Sequence, residues 1–431
     1  MKFLKTIVAT CVAYALISAA SAQTVIHITG SSAYRAAVYW AINDILAPGY
    51  TFGYSGTSGV LKASQAIFTG TTAAGGISVV IKTSFSGSVG GISTLAANLT
   101  IGPGGSFTGG GGWLVNTTPQ SGVGAGGFPN GGTGGAAADY DPAVTADVAM
   151  ADCFQASAPS IYRTPKLADH FVGVVPFVYV ATKGGTAIHG SVTTSTSLSS
   201  EQVRDIFVEG SIKLSELSKS SLDTESVLGV GRDEDSGTRI QALATAGINV
   251  STFLKQNQPL FDGNTVPTNP PPPPGASITG AALWPALTLN AIAYPQGDSG
   301  YSSGGALAPA INVPHASSFS TWFVSYLGIN DAATVTNGIQ LRFNGVPYSA
   351  ANVEGPGATG FTAQYGYWGY EHLFYRTTFT GNGKTVADQI SGDLNNATSH
   401  SSNVSGIPIS SMKVSRDSDG GAIEKGGNPG T

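Results

Sequence analysis

The sequence predicts an α/β fold with mainly parallel sheets and helices on both faces. Apolar runs of strand length alternate with segments of helical periodicity, as at residues 25–28 and 33–46. Loops rich in glycine and hydroxyl side chains follow several strands and precede helices. Because ligands of such sheets bind at the carboxyl ends of strands, beside helix N-termini, these loops are the first candidates for a binding site.

Residues 1–22 have the features of a secretory signal peptide. Lys2 and Lys5 precede an apolar stretch at residues 7–17, and small residues then offer a cleavage site before Gln23. The apolar stretch is too short for a membrane span. We therefore expect an exported protein, periplasmic or extracellular, with no membrane span after cleavage.

Composition excludes several classes of protein. The formal net charge is −5 and charged residues make up only 10% of the chain, against about 25% in typical domains. This acidity argues against nucleic acid and anionic lipid as partners. Cys153 is the single cysteine beyond residue 22, so no intrachain disulfide is possible. The six histidines are scattered and Glu371-His372 lacks a spaced partner, so we expect neither a metal site nor a cofactor.

Two strand–turn–helix units open the mature chain. The run at 25–28 leads into a turn with Ser31 and Ser32, either of which is expected to cap the helix over 33–46. The run at 77–81 leads into a turn with Ser88 and a helix over 92–98.

The middle of the chain changes character twice. Nearly half of residues 102–135 are glycine, so we predict a long flexible insertion without a packed core. A short strand at 146–152 then ends in the carboxylate of Asp152.

Further elements are expected along the rest of the chain. They are a buried strand at 172–182, a capping box at 198–201 with a helix to 207, a polyproline spacer at 270–274, an aromatic helix at 319–327, an aromatic strand and helix from 365–375, and disorder from 420 onward.

The segment from Arg232 to Thr238 is the most informative in the chain. A strand at 227–230 precedes it and a helix follows, so Ser236, Gly237 and Thr238 lie at a helix N-terminus. Such a terminus has free N–H groups and the positive end of the helix dipole, which suit an anion. Arg232 adds a planar, permanently charged group matched to an oxyanion.

Each of these features has an ordinary structural explanation. A serine before a helix is most often a cap, and an arginine followed by acids is most often a surface ion pair. Three hydroxyl-bearing turns, one arginine and an isolated carboxylate together favour an oxyanion site. Asp152 would then accept a proton carried by the ligand, and a fully ionised anion would be rejected.

These residues carry a resemblance to a known family. The turn around Ser31, Gly87-Ser88-Val89-Gly90-Gly91, the strand ending in Asp152 and the loop Arg232–Thr238 are similar to motifs of the phosphate-specific solute-binding proteins of ABC transporters. The resemblance extends loosely over most of the mature chain, through residues 198–212 and Gly300-Tyr301. The Arg232 loop is its specific part.

The resemblance implies a two-lobed type II periplasmic binding protein fold with a cleft and a hinge. Lobe one would comprise residues 23–170 and 300–419, lobe two residues 171–299, and residues 420–431 a disordered tail. The protein would be a non-enzymatic monomer that captures phosphate or a similar oxyanion and delivers it to an ABC permease. The ligand-binding residues would be Ser31, Ser32, Ser88, Asp152, Arg232, Ser236, Gly237 and Thr238.

The chain departs from the family pattern at three places. Glu234 and Asp235 stand where the family has aspartate and glycine, so three acids follow Arg232. This is unfavourable beside an anion unless Glu234 pairs with Arg232 and the other acids face water. Arg35 occupies a position near the first turn and either adds a second charge or lies on the helix surface. The insertion at 102–135 has no counterpart.

Two other functions remain open. Gly300-Tyr301-Ser302-Ser303-Gly304 matches the nucleophile elbow of serine hydrolases, with Asp331, His315 and His372 downstream as partners of Ser302. Alternatively, glycine-rich loops, polyproline and sparse charge suit a surface or adhesion protein.

Overall fold

The molecule is described here by a computed structural model. It describes residues 23–56, 59–107, 111–120, 128–129, 132–133, 140–262, 272–355, 364–399, 401 and 404–426. The predicted signal peptide, parts of the glycine-rich insertion, the first two prolines of the spacer and residues 427–431 lie outside this range.

The described residues form the following elements. The strands are β1 (Thr24–Gly30), β2 (Thr51–Tyr54), β3 (Gln65–Thr71), β4 (Ser78–Ser84), β5 (Thr100–Ile101), β6 (Thr118–Pro119), β7 (Gly132–Thr133), β8 (Val144–Thr145), β9 (Val148–Ala151), β10 (Leu167–Thr182), β11 (Ser197–Leu198), β12 (Ser211–Lys213), β13 (Ser226–Gly229), β14 (Asn257–Phe261), β15 (Ile278–Leu283), β16 (Leu287–Leu289), β17 (Ile292–Tyr294), β18 (Trp322–Gly328), β19 (Gly338–Gln340), β20 (Arg342–Phe343), β21 (Trp368–Arg376), β22 (Val414–Ser415) and β23 (Glu424–Lys425). The α-helices are α1 (Arg35–Ile45), α2 (Ser88–Ala96), α3 (Ser200–Arg204), α4 (Ser215–Ser218), α5 (Gly237–Thr245), α6 (Gly304–Ile311), α7 (Ile329–Ala332), α8 (Ala350–Glu354) and α9 (Gly381–Asn395).

A 13-stranded sheet organises the molecule. Its main path runs β12-β13-β18-β10-β21-β9-β1-β4-β3-β2-β6, with β19 and β7 attached to β10 and β2. The α/β class predicted from the sequence is confirmed. The expectation of mainly parallel pairing is not met by the whole sheet, because β10, β21, β3 and β12 pair antiparallel with their neighbours. Parallel pairing is concentrated where the candidate loops lie, at β4-β1-β9 and at β13-β18.

Helices cover both faces of this sheet, as predicted. Val148 and Met150 of β9 belong to one hydrophobic cluster with side chains of α1 and α9. Ala149 and Ala151, which alternate with them, belong to a second cluster with Ile92 of α2. Successive strand residues point to opposite faces, so one helix layer packs on each side of β9.

Strand β10 joins the two halves of the sheet. Its first ten residues pair with β21, and residues 177–182 pair with β18. The predicted lobe boundary at residue 170/171 thus lies within a continuous strand. β18, in the segment predicted to return to lobe one, instead pairs with β13 and the second half of β10. The division into lobes with a hinge remains a proposal.

The expected aromatic helix at 319–327 is wrong: these residues are largely the strand β18. All its residues from Trp322 to Leu327 are buried. A strand buried on both faces has the same continuous apolar run as a buried helix, so periodicity could not separate the two.

The glycine-rich insertion is not without a core. Its described residues Phe107, Trp113, Leu114 and Phe128 are at most 2% exposed. β6 and β7 both pair with β2. The average composition hid these few aromatic anchors, which attach the insertion to the sheet.

Two smaller expectations also fail. Neither Ser31 nor Ser32 caps α1, whose N-cap is Tyr34. The disorder expected from residue 420 onward is not found in residues 420–426, where β23 pairs with β22.

The predicted capping box before α3 is confirmed in outline, and it is formed by Ser199 and Gln202.

Among the described residues, none of the helices has the length and apolar character needed to cross a membrane.

A buried ion pair fixes the start of α5 to the segment before α6. Arg239 Nη2 contacts Asp298 Oδ1, and both side chains are at most 7% exposed. Asp298 Oδ1 also accepts a hydrogen bond from Leu254 N at 2.7 Å. This carboxylate therefore joins three segments that lie far apart in the chain.

We expect Asp298→Ala to lower the free energy of unfolding by about 3–5 kcal/mol, since it leaves a buried guanidinium without its counter-charge. Urea denaturation followed by circular dichroism measures this. Asp388→Ala, which removes an exposed pair with Lys384 and one hydrogen bond from Tyr375, is the control and should cost no more than about 1.5 kcal/mol. Equal effects of the two variants would contradict the importance given to the buried pair.

Candidate functional site

Two helix N-termini meet at one carboxylate. Ser88, the first residue of α2, donates from Oγ to Asp152 Oδ1. Thr238, the second residue of α5, donates from Oγ1 to Asp152 Oδ2 at 3.3 Å. The backbone N–H of Asp152 in turn donates to Ser88 Oγ at 3.1 Å. The carboxylate thus links a loop of one half of the sheet to a loop of the other.

The chain topology explains this convergence. β1, β4 and β9 run parallel, so their carboxyl ends lie at one edge of the sheet. Asp152 directly follows β9, and Ser88 follows β4 after a short turn. Gly87 has φ +103°, a conformation that favours glycine, and this redirects the chain into α2.

Gly237 allows the opposite loop to approach closely. A Cβ atom on Gly237 would lie 1.7 Å from Asp152 Oδ1 and 2.8 Å from Ser88 Cβ. Any larger residue would push the two loops apart. Ser236 precedes it as the N-cap of α5 and accepts from Arg239 N at 3.2 Å.

Arg232 is buried behind this contact. It is 3% exposed, and its Nε and Nη2 donate to the backbone carbonyls of Tyr301 and Ser302 at 2.9 and 3.0 Å. Its backbone N–H donates to the Tyr326 hydroxyl at 3.0 Å. Neutral carbonyls thus orient the guanidinium while leaving its positive charge available to the site.

The three acids after Arg232 are not arranged as the sequence suggested. Glu234 accepts a hydrogen bond from Ser299 at 3.0 Å instead of pairing with Arg232. Asp235 is buried instead of facing water, and its carbonyl accepts from Val89 N at 2.9 Å. Burial, followed by the charges of Asp233 and Glu234, raises the pKa of Asp235 well above its usual range. A protonated Asp235 adds no negative charge to the site.

Asp152 lies in a similarly dry environment. Burial raises its pKa, whereas the hydrogen bond from Ser88 and the charge of Arg232 lower it. The charge of Asp419 opposes them in turn. The balance of these effects raises the pKa of Asp152 above its ordinary value.

The serines of the first turn lie at different places. Ser31 is 1% exposed, and its hydroxyl has no hydrogen-bond partner. Ser32 lines a groove of about 770 Å³, which is also lined by Arg35 and Lys62. Among the described hydrogen bonds, none joins Ser32 to Asp152. Arg35 donates from Nη1 to the carbonyl of Ser32 at 3.1 Å, so it lies along the groove.

Sequence reasoning missed three residues around Asp152. Gln241 of α5 donates to the carbonyl of Asp152 at 2.8 Å and also contacts Asp419. Asp419 also accepts a hydrogen bond from Phe154 N at 3.0 Å. The C-terminal segment therefore contacts both α5 and the chain that follows β9. Glu371 is fully buried beside them. A glutamate inside an aromatic, strand-like run was a usable signal for Glu371, but nothing in the sequence marked Gln241 or Asp419.

The hydrolase interpretation gains no support from the geometry. Ser302 contributes its carbonyl to Arg232, His372 bonds Asp169 at 2.8 Å, and both ring nitrogens of His315 lack a partner. No described contact brings either histidine to Ser302. Within the described part of the chain, no cluster of three or more histidine, cysteine or acidic side chains is arranged to hold a metal ion.

Gly237→Ala should separate the loops that meet at Asp152. We expect it to lower the free energy of unfolding by about 1–3 kcal/mol, because a methyl group would overlap Asp152 and Ser88. Thermal and urea denaturation measure this change. Gly392→Ala, in α9, is the control: its methyl group would meet no atom within 4 Å, and it should stabilise by about 0.4–1 kcal/mol. Unchanged stability of Gly237→Ala would show that the loops are not in tight contact.

Comparisons with known proteins give distant structural neighbours. No family model and no curated protein matches this chain. A putative phosphate ABC transporter substrate-binding protein with bound phosphate from Clostridium perfringens is 12% identical, with 86% of this chain and 96% of that chain covered and a TM-score of 0.43. A high-affinity periplasmic phosphate-binding protein bound with phosphate is 14% identical, with 90% and 91% covered and a TM-score of 0.43. An ABC-type phosphate transport receptor from Vibrio cholerae is 12% identical, with 86% and 96% covered and a TM-score of 0.40. Phosphate is the ligand named for those proteins.

Proposed function

We propose that this protein binds phosphate or a similar protonated oxyanion between the α2 and α5 loops. The observation that carries the proposal is the convergence of Ser88 and Thr238, each at a helix N-terminus, on the buried carboxyl of Asp152. Hydroxyls and free N–H groups at two helix starts can surround an anion. Arg232 supplies the charge that offsets it.

The ligand enters this arrangement by exchange of hydrogen bonds. The hydroxyls of Ser88 and Thr238, which donate to Asp152, turn to the oxygens of the anion. Asp152 then accepts the proton that the anion carries. Sulfate has no such proton at neutral pH, so it would face a buried carboxylate without a hydrogen bond between them.

The remaining predicted ligand-binding residues have supporting roles in this proposal. Ser236 and Gly237 present the first N–H groups of α5, and Ser31 and Ser32 contribute hydroxyls from the end of β1. The protein would act outside the cytoplasm as a monomeric solute-binding protein, with an ABC permease as its partner. The two halves of the sheet would serve as the lobes that close on the ligand.

The groove beside Ser32 suits the approach of an anion. Arg35 and Lys62 line it together with one acid, Asp331, so its lining carries a small net positive charge, and Lys62 is exposed. Positive charge along the entrance of a cleft raises the local anion concentration and the association rate. The net charge of the protein is negative, so the positive charges along the groove are opposite in sign to the charge of the whole protein.

Isothermal titration with phosphate, arsenate and sulfate tests the proposal. Wild type should bind phosphate and arsenate and discriminate against sulfate by about 10–100-fold, the worth of one charge-assisted hydrogen bond. Asp152→Asn should lose most of this discrimination, since an amide can donate to sulfate. Asp388→Asn is the control and should behave as wild type. Equal binding of phosphate and sulfate by wild type would contradict the role proposed for Asp152. Millimolar oxyanions that leave the melting temperature unchanged would instead favour a surface or adhesion protein.

Lys62→Ala should slow the association of phosphate several-fold at low ionic strength, with little change in the dissociation rate. Stopped-flow fluorescence at rising salt concentration checks this, because screening should reduce the difference. Lys183→Ala removes a comparable exposed charge away from the groove and serves as the control. A salt-independent difference would argue against steering.

A further inference from the structure

Glu371 lies opposite Asp152 in the sheet. β21 pairs antiparallel with β9, and the register that matches His372 with Ala151 brings Glu371 beside Asp152. Strand residues at such positions extend their side chains from the same face. The two carboxyls are therefore neighbours at the edge where β1, β4 and β9 end.

The side chain of Glu371 is enclosed but unsatisfied. It is 0% exposed, and neither Oε1 nor Oε2 makes a well-aligned hydrogen bond. The polar group closest to pairing with it is the Ser31 hydroxyl, which has no other partner and whose interaction with Glu371 lowers the pKa of that carboxyl. Buried polar atoms without partners are rare in proteins and require an explanation.

The titratable groups around Glu371 come from two places, the end of β9 and the start of α1. Asp152 and Cys153 follow β9, and Tyr34 precedes α1. Arg232 is the cation that lowers the pKa of Asp152. Among the described ion pairs, none includes Glu371. Burial first, and then the charge of Asp152, raise the pKa of Glu371 well above its usual range.

We propose that Glu371 is a second ligand-facing carboxyl of the oxyanion site, and that the bound oxyanion shares a proton with it in addition to the one accepted by Asp152. This inference rests on the function proposed above and adds a selectivity to it. The site would bind a phosphate-like anion together with two shared protons, one at Asp152 and one at Glu371.

The proton has two equivalent positions. Either Glu371 carries it and donates to a doubly charged hydrogen phosphate, or the ligand is dihydrogen phosphate and donates to ionised Glu371. Both descriptions contain the same number of protons, so both make the same prediction. Once that proton is lost at alkaline pH, a carboxylate faces the anion directly and binding weakens.

The test measures phosphate affinity by isothermal titration between pH 6 and 10. Wild-type affinity should fall in the alkaline range by up to about tenfold per pH unit, the slope for one linked proton. Glu371→Gln replaces the carboxyl with an amide that donates without a proton from solution, so its affinity should stay nearly constant over that range. Glu371→Asp keeps a carboxyl and should retain the fall. Glu209→Gln, at an exposed position, is the matched control.

Thermal unfolding without phosphate supplies a second measurement. A carboxyl whose pKa is raised in the folded state destabilises that state increasingly as pH rises above its ordinary pKa. Glu371→Gln should therefore gain stability relative to wild type as pH increases.

The outcomes separate the two proposals. Phosphate binding by wild type and Glu371→Gln with the same pH profile would overturn the role of Glu371 and leave the oxyanion site intact. Absence of phosphate binding by wild type at every pH, with sulfate and arsenate also inactive, would overturn both.

Discussion

The site depends on a single buried carboxyl that receives hydrogen bonds from two helix starts. Asp152 joins α2, which belongs to the parallel strands β1, β4 and β9, to α5, which follows β13 in the other half of the sheet. A carboxylate in a dry environment is costly without donors. Ser88, Thr238 and the charge of Arg232 offset that cost, so the same groups that stabilise Asp152 also define the geometry of the site.

The candidate site has few positively charged side chains near it. Arg232 is oriented by neutral carbonyls and Arg239 is neutralised by Asp298. Asp235 and Glu371 near them are buried, which raises their pKa values and favours their protonated forms. A group of side chains with this composition has little net charge of its own, so the ligand selectivity proposed above would depend on protonation.

The sequence predicted the loops of the candidate site but not all of the buried side chains around Asp152. The strand–turn–helix pattern placed Ser88, Asp152 and the Arg232 loop at strand ends, because parallel neighbours bring such ends together. The glutamate in the aromatic run at 365–375 was a signal for Glu371, but nothing in the local sequence placed it beside Asp152, because the pairing of β21 with β9 is decided by tertiary packing. The sequence pattern also misjudged β18, whose apolar run suits either a strand or a helix. The expectation that Asp235 faces water was wrong for a similar reason, because the burial of one side chain depends on tertiary packing and not on the local sequence.

The glycine-rich insertion has a consequence for association between molecules. β6 and β7 lie along β2 at the margin of the large sheet, each only two residues long, and β6 contains Pro119. An open sheet margin is a template for intermolecular strand pairing, which many proteins prevent with charged side chains. With charged residues at only 10% of the chain, this protein uses brief strands and a proline instead. In the described part of the insertion, this margin therefore consists of short strands, a geometry that disfavours strand pairing between molecules.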